Sequence, residues 1–596
     1  MTVDNRARRM FGLVVLGTAA LVAACSDDDD PGRRNHDPKG DNGGENGPSN
    51  VGEPPMGEES NLALPRLSRD EYVATVTDIL AEALPMTGKS LVPAVTSAAA
   101  SLPDDLLVAP PSEKHGGFSR LDQSIQQGYA DVPYKIAVQL GKDVTSPPAR
   151  LGELVGACSK DGTSVDRACL EAFVRRFGEL VLRRPPSDED VAFYTANAPA
   201  TNVPATFVAK VVTEMMTSPR FLYHVESGTR AAGAPDIFAL DAWELASRLS
   251  YHVWGTTPDA KLRESARSGA LLTDEGYTRE VDRLFGDARA TATFGTFFTQ
   301  WFWPLLELPA LDSRLDDARF KAFAGANLPT SELRGRMVRE VVEAATYIAS
   351  HGGKVADLLT NRQSFARDAD LAAIYKVAPW NGTGAPPEMP AERTGLLTRA
   401  AFLVTGSANT RPIIKGVFIR TTLLCDEIPP PPPAGMMTSI DLSPTASTRQ
   451  VVEEITERST GCAGCHQKLI NPLGFASEGF DALGRTRTSQ TLFDPDGKVV
   501  GQAKVDTTTV PRITPDDTRT SRGIGDVTQW LVESGRVEAC FARRYFRFTF
   551  RRVEATTGDN ALVDLFAKSA REGRTLSDIA KASAQRPEFK RRRFVQ

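Results

Sequence analysis

DRACLEAFVRRFGELVLRRPPSDEDV, Asp166 to Val191, decides the class of fold. Leu170, Phe173, Phe177 and Leu180 recur at three- and four-residue spacing, which lays an apolar stripe along one face of a helix. Pro185 and Pro186 cannot continue that helix. Ser187 then offers an N-cap oxygen to a second one. Helix, proline stop, capped helix is the grammar of an α protein, and the rest of the chain repeats it.

Toward the N-terminus, RLSRDEYVATVTDILAEAL (66–84) places Ser68 and Glu71 as a capping box ahead of an apolar stripe through Tyr72, Val76, Ile79, Leu80 and Ala83, widened by Leu84 and stopped by Pro85. A further helical stretch is expected over 121–140. Toward the C-terminus, a helix ends near Ser218, and LDAWELASRLSYHVWG carries Trp243, Leu245 and Leu249 on an aromatic-rich helix. Thr257 and Pro258 read as N-cap and N1 of the next one. Helical patterning returns over 289–302, 330–350, 366–376 and 394–405. Alternation suited to strands is confined to 488–510. No fixed-period repeat is present.

The first residues belong to export rather than to the fold. Arg6, Arg8 and Arg9 precede an apolar run from Phe11 to Ala24, which stops at Cys25. This is a secretory signal, too short for a stable membrane span. Its VAAC junction resembles a bacterial lipobox, which implies a lipidated Cys25, and Ser26 resembles an outer-membrane retention signal. Residues 26–60 offer almost nothing apolar to bury and are expected to be a disordered tether. The net charge of −5 over 596 residues gives no pull toward nucleic acid.

EIPPPPPAGMM, with prolines 429–433, separates the helical body from CAGCH, Cys462 to His466. Two thiols three positions apart can bond to the vinyl groups of haem, and the adjacent imidazole can ligate its iron. The backbone carbonyl of Pro472 is a candidate acceptor for the ring's other proton. No histidine or methionine follows His466. The sixth ligand is therefore Met436 or Met437 from just past the proline run, or the iron is five-coordinate or takes lysine, solvent or another chain. Two alternatives use the same residues: a Cys462–Cys465 disulfide, or zinc shared by the pair with Cys425, Cys540 or His466.

Other candidates read as structure. Outside the cytoplasm, Cys158 and Cys169 can close a short loop as a disulfide, and Cys425 and Cys540 are left to pair with each other. Glu478 and Asp481 suit a helix cap or ion pairs with Arg485 and Arg487 better than acid–base chemistry or a hard cation. DPDGKVV, with Asp494, Asp496 and Gly497, suits a hairpin turn better than a calcium loop. His224, His252, Trp243, Trp254, Trp301 and Trp303 suit core packing.

RLSRDEYVATVTDIL, FVRRFGELVLRRPPSDEDV, MTSPRFLYHVE, LSYHVWGTTPD, TRPIIKGVFIRTTLLCDEIPPPPP and above all CAGCHQKLINPLGFASEGFDALGRTR resemble the planctomycete cytochrome C-like domains of unknown function, of the DUF1592, DUF1588 and DUF1585 types and their DUF1587 and DUF1595 associates, also found in myxobacteria. The stretch from CFARRYFRFTF to TLSDIAKASAQRPEFKRR resembles their last module. Two positions depart from the usual pattern: Asn471-Pro472 stands where Asp-Pro is common, and ITERSTG lacks a histidine often found before the first haem-motif cysteine.

The resemblance implies a mainly α, multidomain helical protein with a cytochrome c-like C-terminal region. Its expected parts are a signal peptide (1–24), a lipoprotein tether (25–60), helical modules over 61–150, 151–260 and 261–425, a proline-rich junction with the haem-motif module (426–515) and a C-terminal helical module (516–596). The family implies no settled activity; it is the motif and the export signal that give electron transfer or small redox chemistry as the expected function, with haem c on Cys462, Cys465 and His466. The protein would be exported and held at the outer membrane by its lipid, facing an envelope redox partner. The rival readings are a non-redox envelope binding or structural protein with a CxxC disulfide, and a polysaccharide-processing enzyme.

Overall fold

Ser68 and Glu71 close the expected capping box at the start of the Arg69–Ala83 helix: Glu71 N donates to Ser68 Oγ at 3.1 Å and Ser68 N to Glu71 Oε2 at 2.9 Å. Ser187 and Asp190 do the same for Asp188–Thr195, after the Arg167–Leu182 helix has ended in a left-handed Arg183. The reading at Thr257 and Pro258 is corrected. The following helix is Ala260–Arg267, and its N-cap is Asp259, whose carboxylate accepts from Leu262 N at 2.9 Å. The charged oxygen takes the free amide, so the helix starts beyond the proline.

The computed structural model describes residues 65–103 and 127–594, apart from 157, 161, 235, 309, 313, 430–442, 459, 552, 555 and 556. Cys25, the expected signal and tether, most of the proline run, and Met436 and Met437 lie outside the described residues. The chain is mainly α, as expected. The helix expected over 121–140 is described as Gln127–Thr145, those at 289–302 and 330–350 as Ala290–Trp301 and Leu333–Ser350. Among the described residues no helix is long and apolar enough to cross a membrane.

Burial of the apolar stripes builds two large cores. One gathers Val76, Leu80, Leu140, Phe173, Phe177 and Met215 from the helices between Leu67 and Met216. The other runs from Leu240 to Phe589 and joins residues on both sides of the proline run, with Phe297, Trp301, Phe541 and Tyr545 near its centre. Each such side chain contributes roughly 1.5–3 kcal/mol on burial. Tyr251, on the Ala242–Trp254 helix of the second region, packs into the first core, where its hydroxyl meets Thr75 Oγ1 at 2.8 Å and Arg183 Nη1 at 3.1 Å.

Strands are short. Ser159–Lys160, Ser164–Val165 and Val203–Pro204 pair antiparallel beside the Cys158–Cys169 disulfide. Thr229–Arg230, Ile237–Ala239 and Arg591–Arg593 form a second antiparallel sheet, which returns the end of the chain to its middle. The strand signal at 488–510 is the hairpin Ser489–Phe493/Val499–Lys504, with an irregularity between Leu492 and Phe493. Asp494 and Gly497 make its turn. Gly497 has φ +82°, and an added Cβ would meet Ala318 O at 2.5 Å, so only glycine fits.

Candidate functional site

CAGCH occupies the end of one helix and the start of a wider one. Ser447 caps Thr448–Glu457 through Gln450 N. Thr460–Cys465 follows, and His466 opens a π-helical turn, His466–Ile470, that runs into Asn471–Phe475. Such wide turns are common at functional sites. Cys462 and Cys465 lie one turn apart on the same helix, which puts both thiols toward one side. Both are half-buried, unlike the fully buried thiol of an ordinary core cysteine, and they are not bonded to each other.

His466 is also half-buried. Its Nδ1 lies 3.1 Å from Asn471 Oδ1. The Pro472 carbonyl expected from the sequence is not the partner. The π turn brings the side chain of Asn471 back against the ring, five positions along. Asn471 is fully buried, and its amide nitrogen lies 2.9 Å from Thr456 Oγ1 and 2.8 Å from Glu457 Oε1 on the preceding helix. No described hydrogen bond engages His466 Nε2. Leu469, in the same wide turn, is 39% exposed, an apolar surface beside the motif.

A tight helix crossing holds this segment. Pro412–Phe418 runs against 470–475 so closely that a Cβ on Gly416 would sit 2.0 Å from Ile470 O, and one on Gly474 2.0 Å from Pro412 O. Arg420, buried on the continuing π turn Ile419–Leu423, donates from Nε to Leu469 O at 2.9 Å. Behind the crossing, buried Lys415 donates to Ser477 Oγ at 3.2 Å. Burial brings its ammonium down to about 8, against the pull of nearby Glu478.

Glu478 and Asp481 are in ion pairs, with Arg487 and Arg485, each at 2.7 Å. Cys425 and Cys540 form the second disulfide, with Cα atoms 5.3 Å apart. Bonded to each other, they cannot join Cys462 and Cys465 around zinc. Among the described residues, no group of three or more His, Cys, Asp or Glu is placed to hold a metal ion. His224 and His252 are buried, and burial lowers both pKa values, that of His252 to about 3. Trp254 and Trp301 are core residues whose indole N–H groups donate to Leu284 O and Thr422 O. Trp303 donates to Glu307, and Trp243 packs at the core's edge.

Thr456, Glu457 and Asn471 were not legible as site residues. Asn471 stood out only as a departure from Asp-Pro, and its i+5 reach needs a π turn that no sequence pattern announces.

Residues 240–377 match the family model described as "PSD4: Protein of unknown function (DUF1592)", and residues 393–490 match "PSCyt3: Protein of unknown function (DUF1588)". The chain therefore carries these two domains, as the resemblance implied, and CAGCH lies within the second. No curated protein and no solved structure matches the chain.

Proposed function

We propose that this protein is an exported, lipid-anchored haem protein that serves electron transfer or small redox chemistry at the outer membrane. One observation carries the reading: Cys462 and Cys465 are unbonded thiols on one side of a helix, directly followed by a histidine held through Nδ1 with Nε2 unengaged. That donor set suits covalent haem. The two thiols would bond to its vinyl groups and His466 would ligate iron. Exposed Leu469 supports the fit, since an apolar macrocycle beside the motif would cover it. Met436 or Met437 would supply the sixth ligand, or that position stays open to a small molecule. When bound, haem supplies a one-electron couple. The chain's own part is to fix the ring of His466, present both thiols at the surface for attachment, and hold the segment through the close approaches of Gly416 to Ile470 and of Gly474 to Pro412.

The Phe11–Ala24 signal and the VAAC junction support export and lipidation at Cys25, and with them an envelope redox partner. The test is absorption spectroscopy of the full chain, expressed with its own signal in a host competent for haem attachment, with a pyridine haemochrome assay and peptide mass mapping. A c-type spectrum that survives acid extraction, with the adduct on Cys462 and Cys465, is expected. Colourless protein beside a correctly matured control cytochrome would sink the reading and return the pair to a structural role.

A further inference from the structure

Asn471, Thr456 and Glu457 form the hydrogen-bond chain that ends on His466 Nδ1. Thr456 Oγ1 donates its proton to Val452 O at 2.7 Å, which leaves a lone pair to receive from Asn471 Nδ2 at 2.9 Å. Glu457, as a carboxylate, can only accept, and its Oε1 lies 2.8 Å from the same nitrogen. Both amide protons of Asn471 are thus committed. A reversed amide would press its carbonyl oxygen against the Glu457 carboxylate. The oxygen therefore faces His466, where it can only accept, at 3.1 Å. When its ring is neutral, His466 must carry the proton on Nδ1, and the lone pair is left on Nε2, the atom a metal would take.

We propose that Asn471 is a positioning residue for iron ligation by His466, with Thr456 and Glu457 fixing the face its amide presents. The purpose rests on the haem reading above; the geometry does not. The wild-type ring is held in the Nδ1–H form before any haem arrives. A neutral acceptor strengthens the imidazole as a ligand less than a carboxylate in the same place would.

The test uses the full chain produced without haem attachment and labelled with 15N-histidine, with His466 assigned against a His466→Gln control. Imidazole spectra at mildly alkaline pH are expected to show the Nδ1–H tautomer in the wild type. Asn471→Leu keeps the volume but removes the acceptor, and is expected to raise the Nε2–H fraction severalfold. Asn471→Asp combined with Glu457→Gln keeps an acceptor toward the ring and a donor behind it, and is expected to restore the Nδ1–H form. A wild-type ring protonated on Nε2, or a tautomer ratio unmoved by Asn471→Leu, overturns the proposal.

In haem-loaded protein, Asn471→Leu is expected to shift the one-electron equilibrium toward reduced iron and the double variant toward oxidised iron. A tenfold shift corresponds to ~59 mV. Equal potentials in all three proteins overturn the proposal. A chain that takes no haem overturns the haem reading alone, and the imidazole spectra still decide the role of Asn471.

Discussion

Arg551 Nη2 donates to Glu71 Oε1 at 3.1 Å, across 480 positions of chain. The pair joins the first turn of the Arg69–Ala83 helix to the left-handed residue that ends Arg536–Phe550. Burial alone would raise the Glu71 pKa, but the Arg551 charge, His224 and the Ser68 amide overcome it and bring the carboxyl to about 2. Folded pKa below unfolded pKa means that the stabilisation is present above the unfolded value of 4.5 and is lost as pH falls toward 2. It amounts to about 3 kcal/mol. Urea midpoints measured from pH 6 to pH 2 are expected to fall steeply in the wild type. The Glu71→Gln variant starts lower and has a flatter profile.

A second ion pair lies deeper in the protein. Arg399 and Glu340 are 3% and 1% exposed. Glu340 also accepts from Phe365 N at 3.2 Å and from Tyr375 Oη at 3.0 Å. Glu340→Ala removes the counter-charge of a buried guanidinium, which keeps Asn361 Oδ1 and Gln363 O as acceptors, and is expected to cost about 3–5 kcal/mol. The measurement is thermal unfolding with and without the variant. A loss below about 1 kcal/mol would show that the pair is not sealed from water.

Glycines near the site are predicted to divide cleanly. Gly416→Ala puts a methyl group 2.0 Å from a backbone carbonyl in a helix crossing that cannot part without moving His466. Overpacking there is expected to cost about 1–3 kcal/mol or more and to lower the yield of haem-loaded protein. Gly464, between the two cysteines, has nothing within 4 Å of an added Cβ. Gly464→Ala is expected to fold at least as well as the wild type, since alanine is the better helix former by about 1 kcal/mol. Parallel expression, melting curves and haem content check both.

The Cys425–Cys540 disulfide closes a span of 115 residues that contains the whole CAGCH segment. Replacing both cysteines by serine is expected to destabilise the protein by about 2–5 kcal/mol through the unfolded chain. The haem attachment proposed at Cys462 and Cys465 is expected to be unaffected in whatever fraction folds. Denaturant melts and peptide mapping distinguish the two effects.

Much of the helical grammar was readable because it is local. Ser68 with Glu71 and Ser187 with Asp190 satisfy amides three residues away, so sequence spacing suffices. Asp259 escaped because two neighbouring residues also looked like a helix start, and only the folded backbone shows which oxygen meets the free amide. The two disulfides were approached through compartment and cysteine count; the partner of His466 was not. It depends on a π turn and on two side chains, Thr456 and Glu457, from another helix.

By itself the sequence determined that this is a mainly α chain with a single Cys-x-x-Cys-His, because apolar period, caps, proline stops and motif spacing are short-range properties of covalent order. Tertiary structure decided what those residues meet. It set the close approach of Gly416 to Ile470 and of Gly474 to Pro412, the pairing of Cys425 with Cys540, and the turning of Asn471 toward His466. Each depends on which distant surfaces exclude water together, and that is fixed only when the helices pack.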